Sequence, residues 1–162
     1  MPAAAALSPT PPVRVAARVV LLRDGRLLTI QMRDGRGEFF ILPGGGQRHG
    51  ESLIEAARRE VMEETGFAVE IGDLLYVRDY IGALHDNPGH RRFHQVEVVF
   101  AARLVEVQAA SCKGSMPDHR QTGIRWMLPA DVPTVRFYPE ALKADCANGH
   151  FPRAYGYLGS VN

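Results

Sequence analysis

Apolar and polar positions near the start of the chain predict a β-hairpin. Val13–Leu22 and Arg26–Met32 are runs rich in β-branched and aliphatic residues, and the tripeptide Arg23–Gly25 separates them. Its Asp-Gly pair is a strong hairpin signal, because both residues tolerate the positive φ angles of a tight turn. Residues 1–12 hold four prolines, which deny donors to a strand ladder, so we expect a loose N-terminal arm and a single domain over 13–162.

A glycine-rich segment and a helix are predicted next. A short apolar run ends at Pro43–Gly46, where a proline and three glycines favour a loop over a strand or a helix. Ser52, followed three residues later by Glu55, forms a capping-box sequence, and Gly66 suits the position just after a helix end. We therefore predict a helix over about 53–65.

The rest of the chain mixes short apolar runs with polar segments. In order, we expect strands over Phe67–Val77 interrupted at Gly72 and Asp73, a polar loop over His85–Arg92, a strand over 94–104, a loop over 108–123, a strand at Ile124–Leu128 and a helix from Pro139 to about Cys146. The tail from Gly149 to Asn162 carries three aromatic residues, and we expect it to pack against the domain.

Acidic residues are concentrated on the predicted helix. Five of the ten glutamates lie within residues 51–64. With about 100° of rotation per residue, Glu60, Glu63 and Glu64 share one helix face. Like charges at that spacing repel, a bound cation relieves the repulsion, and hard carboxylate oxygens select Mg²⁺ or Mn²⁺ over zinc. The pattern favours a divalent-metal site, and the alternative is a solvated acidic face paired with surface arginines.

The three glycines before this helix add a second signal. Glycine lets a backbone approach a metal or a phosphate closely, because it has no side chain in the way. The amides of Gly45 and Gly46 are therefore candidate phosphate contacts. Alone, the segment could be an ordinary tight turn, but beside the glutamates it indicates phosphate chemistry.

A regular spacing links the glycines to the glutamates. Gly45 is followed after five residues by Glu51, and after seven more by the segment Arg59–Phe67. This arrangement resembles the signature box of the Nudix hydrolases, G-x5-E-x7-R-E-U-x-E-E-x-G-U, in which U is a bulky apolar residue. Every specified position of the 23-residue box matches. The resemblance extends over about Val13 to Leu142.

The resemblance implies an α/β fold, an α/β/α sandwich around a mixed β-sheet, and hydrolysis of a nucleoside diphosphate linked to another moiety with Mg²⁺ or Mn²⁺. Glu60 and Glu64 would be the main metal ligands, with Glu63 as a further ligand directly or through water. The Gly44 carbonyl would be another ligand, and Arg59 would orient the carboxylates.

Further candidates lie outside the acidic helix face. By the resemblance, Glu51 would support the cluster or a bound water, and its alternative is a charge favourable to the helix N-terminus. Glu97 is the one acidic residue of an apolar strand and a candidate general base, or else an outward-facing polar residue. Arg18 and Arg33 lie on or just after early strands and could bind phosphate or form surface ion pairs. A basic loop could cap a substrate or simply be solvated, and its residues are His85, His90, Arg91, Arg92 and His94. The aromatic candidates for stacking on a base, each of which could equally be core, are Tyr76, Tyr80, Phe93 and Phe137.

Composition narrows the class of partner. Nineteen Lys and Arg against 18 Asp and Glu leave a net charge of +1, so no global field attracts nucleic acid or an anionic membrane. Cys112 and Cys146 are too few for a disulfide framework, and no run approaches the ~20 apolar residues that span a bilayer. We expect a cytoplasmic protein with a small-molecule nucleotide substrate and neither nucleic-acid nor membrane partners, with a homodimer as an open option.

These observations predict a metal-dependent pyrophosphohydrolase in which water attacks phosphorus. Nucleoside triphosphates, ADP-ribose-like nucleotide sugars and dinucleoside polyphosphates all stay open as substrates. The alternative is a catalytically inactive Nudix-fold module that binds a nucleotide. The presence of every box carboxylate favours the enzyme.

Overall fold

The computed structural model describes residues 10–85, 88–105, 120–148, 151 and 156–162. Its strands are β1 (Arg14–Arg23), β2 (Arg26–Asp34), β3 (Gly37–Ile41), β4 (Gly44–Gly46), β5 (Val69–Ile81), β6 (His94–Leu104), β7 (Gln121–Met127), β8 (Phe137–Tyr138) and β9 (Gly156–Ser160). Its α-helices are α1 (Leu53–Thr65) and α2 (Lys143–Ala147), and short 3₁₀ turns lie at Gly82–Leu84, Pro88–His90, Pro129–Thr134 and Glu140–Leu142.

The strands form a mixed sheet that divides at the first hairpin. Its order is β8-β3-β2-β1-β6-β5-β9, with β4 paired to β1 and β7 paired to β2. The predicted hairpin is confirmed: Leu22 lies opposite Leu27, and both Asp24 and Gly25 have positive φ, at 50° and 73°. Beyond the hairpin end β1 leaves β2 and runs parallel to β6, with Arg14 opposite Gln95. The strands therefore form two branches that meet at the β1–β2 hairpin.

Side chains of β1 alternate between two hydrophobic cores. Ala17, Val19 and Leu21 are fully buried against α1, in a cluster with Ala57 and Val61. Val20 belongs to the second cluster, on the other face, together with residues of β5, β6 and α2. Because strand side chains alternate between faces, Arg18 shares the face of Val20 and lies opposite α1. This architecture, with helices and a mixed β-sheet, agrees with the expected α/β Nudix fold.

Helix α1 has the predicted bounds because its ends are locally encoded. The Ser52 side chain accepts a hydrogen bond from the Glu55 amide, and the Glu55 carboxylate accepts one from the Ser52 amide at 2.7 Å. Gly66 ends the helix with a φ of 74°, and its amide donates to the Met62 carbonyl. A capping residue of this kind is worth about 1 kcal/mol.

The prediction of a loop at Pro43–Gly46 is wrong for its three glycines, which form β4. Gly44 lies opposite Arg18 and Gly46 lies opposite Ala16, in an antiparallel pair with β1. Composition disfavoured a strand here because glycine offers no side chain to pack. The pairing is decided by the neighbouring edge of β1, which supplies hydrogen-bond partners that the local sequence does not reveal.

Two other predicted boundaries also differ. Gly72 and Asp73 do not divide the segment into two strands, because β5 runs continuously through them. Only its pairing with β6 is irregular there, between Ile71 and Tyr76. Strand β7 begins at Gln121, where a loop was expected to extend to residue 123. Both extensions follow from pairing to distant strands.

The C-terminal part of the chain is less helical than predicted. The segment expected to form a helix from Pro139 begins with a 3₁₀ turn, and only Lys143–Ala147 is α-helical. In the tail, Phe151 packs against the second core, whereas Tyr157 is 67% exposed on β9. The remaining tail aromatic at position 155, residues 1–9 of the N-terminal arm and most of the expected 108–123 loop lie outside the described residues. Within the described ranges, no helix combines the length and apolar character that a bilayer crossing needs.

Candidate active site

Strand β4 is a gap in the side-chain layer between α1 and the opposite face of the sheet. A Cβ atom built at Gly44 would lie 2.2 Å from the Ala17 carbonyl oxygen, and Gly44 has a φ of 128°. A Cβ atom at Gly45 would lie 2.6 Å from the Glu60 carboxylate. Both contacts are far inside van der Waals distance, so the helix and its carboxylates approach this closely because the strand consists of glycine.

Two glutamates of α1 reach a large cleft through this gap. Glu60 lies against Gly45, and the Glu64 Oε2 atom accepts a hydrogen bond from the Gly44 amide at 2.9 Å. Both carboxylates line a cleft of about 1070 Å³, together with the three glycines of β4. The structure thus brings the predicted residues Glu60, Glu64 and Gly44–Gly46 to one place.

Arg59 forms hydrogen bonds to three carboxylates of the site. Its Nε atom donates to Glu51 Oε1 at 2.5 Å, and its Nη1 atom donates to Glu60 Oε1 at 2.7 Å and to Glu63 Oε2 at 3.3 Å. Its Nη2 atom also donates to the Gly46 carbonyl at 3.0 Å. One guanidinium therefore ties three carboxylates of α1 and its N-terminal flank to strand β4.

Glu51 is held in its charged form by this contact. Hydrogen bonds from the Arg59 guanidinium and the Arg48 amide lower the pKa of Glu51 to about 2. Glu63 contacts Arg48 in addition to Arg59, at 3.3 Å in both cases. Arg48 and Arg59 thus hold both Glu51 and Glu63 in place.

Glu97 lies at the centre of a buried network on the cleft face of the sheet. Its Oε1 atom accepts from Arg18 Nε at 2.7 Å and from Gln95 Nε2 at 2.9 Å, and its Oε2 atom accepts from Arg78 Nε at 2.6 Å. Burial raises the pKa of Glu97, but the charges and hydrogen bonds of the two arginines outweigh burial and hold the pKa at about 2. Glu97 is inward-facing, 3% exposed and charged.

Arg18 connects this network to β4. Its Nη1 atom donates to the Gly44 carbonyl at 3.0 Å and to the Leu42 carbonyl at 2.8 Å. Arg18 therefore lies in the cleft beside the glutamates and pairs with the buried Glu97, so its ion pair is not the surface pair left open as its alternative. Arg33 is different: it is exposed, pairs with Glu38 at 3.1 Å and does not contribute to the cleft wall, which matches the surface ion pair left open as its alternative.

Sequence reasoning missed several cleft residues, among them Arg14, Arg78 and Gln95. Arg14 is four residues before Arg18 on β1, Arg78 is two before Tyr80 on β5, and Gln95 is two before Glu97 on β6. A two-residue period places each pair on one sheet face. This alternation is visible in the sequence, but the faces meet in one cleft only through the pairing of β1, β6 and β5.

The aromatic candidates separate into core and cleft residues. Tyr76 and Phe137 are fully buried in the second hydrophobic core. Tyr80 and Phe93 line the cleft, together with His85 and His90 of the predicted basic loop. The loop thus contributes to the cleft wall, and its role as a cap over a substrate stays a prediction.

The donor set fits a hard divalent cation, although the side chains do not form a ready-made cage. Within the described parts of the chain, no group of three His, Cys, Asp or Glu side chains is placed to hold a metal. The reason is visible around α1, where Glu60 and Glu63 point to Arg59 and Glu64 points to the Gly44 amide. Carboxylate and carbonyl oxygens at a cleft surface are nevertheless the ligands that Mg²⁺ and Mn²⁺ prefer.

Comparison with known proteins assigns the family. The NUDIX domain model matches residues 12–145, most of the chain. The chain belongs to the Nudix hydrolase family. The resemblance carried by the Gly45–Phe67 box is thereby confirmed.

Individual relatives of this Nudix hydrolase match parts of it. The protein "Nucleoside diphosphate-linked moiety X motif 6" of Xenopus laevis is 36% identical over 77 residues, which are 48% of this chain and 34% of that relative. A solved NUDIX hydrolase from Nitrosomonas europaea superposes with a TM-score of 0.70 at 18% identity, over 89% of this chain and 93% of the other. A MutT NUDIX hydrolase from Burkholderia pseudomallei gives a TM-score of 0.63 at 28% identity, over 85% and 98%.

Proposed function

We propose that this Nudix hydrolase is a metal-dependent pyrophosphohydrolase that cleaves a nucleoside diphosphate linked to another moiety. The observation that carries the proposal is the passage of Glu60 and Glu64 across the glycine strand β4 into a cleft lined by Arg18. Carboxylates for a cation and a guanidinium for phosphate oxygens then lie side by side. The name of the Xenopus laevis relative, which refers to a moiety linked to a nucleoside diphosphate, supports this class of substrate.

Glu60 and Glu64 are the residues we assign to hold Mg²⁺ or Mn²⁺, with Glu63 and the Gly44 carbonyl as further ligands. A bound cation supplies charge neutralisation of the diphosphate and activation of the attacking water. Arg59 positions Glu60 and Glu63 through its bifurcated contacts. Glu51 in turn holds Arg59 in place. Removal of the Glu51 carboxylate should therefore displace Glu60 and Glu63, although Glu51 does not contact them.

Arg18 binds phosphate oxygens in this proposal, and Glu97 holds Arg18 in place. Both carboxylate oxygens of Glu97 already accept short hydrogen bonds from arginines, and the pKa of about 2 makes it a weak proton acceptor. The general-base role of Glu97 stays a prediction, and the geometry supports positioning of Arg18 and Arg78 better. The amides of Gly45 and Gly46 stay candidate phosphate contacts at the same cleft wall.

The position of the oxygen from water in the products shows which bond of the diphosphate breaks. Water attack on a phosphorus of the diphosphate yields a nucleoside monophosphate and a second phosphate-bearing fragment. The test is to incubate the protein with nucleoside triphosphates, nucleotide sugars and dinucleoside polyphosphates in ¹⁸O-labelled water with Mg²⁺ or Mn²⁺. Mass spectrometry should find one ¹⁸O atom in a phosphate group of one product.

Two outcomes contradict this proposal. Label bound to carbon rather than phosphorus means that a different bond is cleaved. Nucleotide binding without cleavage of any member of the panel supports instead the inactive nucleotide-binding module.

A further inference from the structure

One end of the cleft is built mainly from rings, and the guanidiniums of Arg14 and Arg78 lie over two of them. Tyr80, His85, His90 and Phe93, here called the aromatic wall, all line it. The Tyr80 and His85 rings are stacked, with centroids 5.0 Å apart and an interplanar angle of 11°. His90 meets Tyr80 edge-on at 5.9 Å and lies 5.5 Å from Phe93. The four rings therefore form one continuous group.

The backbone holds the aromatic wall in place. Tyr80 belongs to β5, and Phe93 directly precedes β6. The Gly82 amide donates to the Phe93 carbonyl at 2.8 Å, closing the loop between the two strands. A Cβ atom at Gly82 would lie 1.8 Å from the His90 carbonyl oxygen, so the two sides of the loop are in direct backbone contact. The rings are thus presented by a closed turn rather than by an open loop.

The wall contains an unused polar atom. His85 Nε2 is buried and has no hydrogen-bond partner among the residues that the structure describes. A buried polar group without a partner is costly, and such groups are uncommon in folded proteins. Because His85 lines the cleft, a ligand that enters there can supply the missing partner.

Cations lie beside the wall. Burial, with a smaller contribution from Arg120, lowers the pKa of His90 below its usual value, which favours its neutral form. The Arg14 guanidinium lies 5.5 Å from the Phe93 centroid. A Cβ atom at Gly46 would lie 2.9 Å from Arg14 Nη2, so Arg14 also borders the glycine strand. Arg14 therefore lies between the carboxylate end of the cleft and the wall.

Along the cleft, the carboxylate end comes first, then Arg14 and then the aromatic wall. In a nucleotide the phosphates and the base likewise lie at opposite ends. We propose that the aromatic wall binds the nucleobase of the substrate, with His85 Nε2 hydrogen-bonded to the base and Arg14 beside the phosphates. The assignment rests on the proposed function for the position of the phosphates, which Glu60 and Glu64 mark. Aromatic rings suit a base, since stacking of a base on an aromatic ring is strong and tolerates every base.

A second aromatic pair in the cleft provides a comparison. Phe39 of β3 and Tyr138 of β8 lie 5.8 Å apart, and Arg136 covers the Phe39 ring at 5.3 Å. Neither ring is associated with an unpartnered buried atom among the described residues. The first wall is therefore the better base site, and Phe39→Leu is a matched control.

The experiment measures binding, so it does not depend on turnover. Isothermal calorimetry compares AMP, GMP, CMP and UMP with ribose 5-phosphate, which has the same phosphate and sugar but no base. We expect at least one nucleotide to bind wild-type protein about tenfold or more tightly than ribose 5-phosphate. His85→Ala should remove most of this difference, and His85→Phe, which keeps a ring but no Nε2, should remove part of it. Phe39→Leu and the exposed His49→Ala should leave it unchanged.

The results separate this inference from the proposed function. Equal affinity of all four nucleotides and ribose 5-phosphate for wild-type protein overturns the base site, even if the protein hydrolyses diphosphates. A second result also overturns the base site. If Phe39→Leu loses the difference in affinity between nucleotide and ribose 5-phosphate, and both folded His85 variants keep it, the base binds elsewhere. A base-dependent difference without any hydrolysis keeps the site and contradicts the proposed function alone. Circular dichroism identifies any variant that fails to fold, and the two His85 variants keep the test decisive.

Discussion

We expect the substitution Gly45→Ala to reduce catalytic activity strongly while it changes the stability of the fold little. The substitution adds one carbon, which would lie 2.6 Å from the Glu60 carboxylate, whereas ordinary contact begins at 3.4 Å. The Glu60 carboxylate must therefore retreat by about 0.8 Å. Gly45 is not at positive φ, and the displaced atoms are the far end of a side chain, so the free energy of unfolding should change by less than about 1 kcal/mol.

The expected effect on catalysis is much larger. A misplacement of about 1 Å at a reacting site costs roughly 100-fold in rate, which corresponds to about 2.7 kcal/mol in the activation barrier. The assay is hydrolysis of the best substrate from the panel with Mg²⁺, accompanied by urea unfolding of the same preparation. Wild-type kcat in a folded Gly45→Ala protein would refute the claim that Glu60 acts across the glycine strand.

Gly44→Ala is the informative contrast. Its Cβ atom would lie 2.2 Å from a backbone carbonyl, and its φ of 128° disfavours any side chain. We expect a loss of more than about 2 kcal/mol in unfolding free energy, because backbone cannot move aside as a side chain can. Similar unfolding curves for the two alanine variants would show that the close approach at Gly44 is not structural.

Three further outcomes follow from the same contacts. Glu97→Gln should lower the unfolding free energy by about 3 kcal/mol or more, because it leaves the buried charges of Arg18 and Arg78 without their carboxylate; an unchanged urea midpoint would contradict this. Arg136 lowers the pKa of Asp34 to about 2, so the pair contributes stability above the unfolded pKa near 3.8 and loses it as the pH falls toward 2. Asp34→Asn should therefore be about 1 kcal/mol less stable than wild type at pH 7, with a difference that narrows below about pH 4 in acid titrations of unfolding. Chelation with EDTA should abolish hydrolysis and added Mg²⁺ or Mn²⁺ should restore it, whereas activity in EDTA would contradict the metal assignment.

The sequence was most informative where structure is determined by neighbouring residues. The Asp24–Gly25 turn and the Ser52–Glu55 capping box depend on contacts within a few positions, and both were predicted, the helix with its bounds and the hairpin strands to within one or two residues. The resemblance to the box implied that Arg59 orients the carboxylates, and one of its contacts, to Glu63, joins neighbouring turns of the helix. Local chemistry thus located the acidic half of the site.

The other half depends on strand pairing that no short segment specifies. The composition of Gly44–Gly46 argues against a strand. These glycines nevertheless form one, because β1 offers an edge with which they pair. Arg78 reaches Glu97 because β5 and β6 pair with these two residues opposite each other. A lone arginine on an apolar strand reads equally well as a surface residue, as Arg33 shows.

The most direct measurement of the central claim is the kcat of Glu60→Gln and Glu64→Gln with saturating Mg²⁺ or Mn²⁺. Glu38→Gln, an exposed glutamate outside the cleft wall, is the matched control for the same chemical change. We expect each helix variant to lose at least about 100-fold in kcat while remaining folded, and the control to keep wild-type activity. Metal-dependent turnover at the wild-type rate in both helix variants would contradict the account.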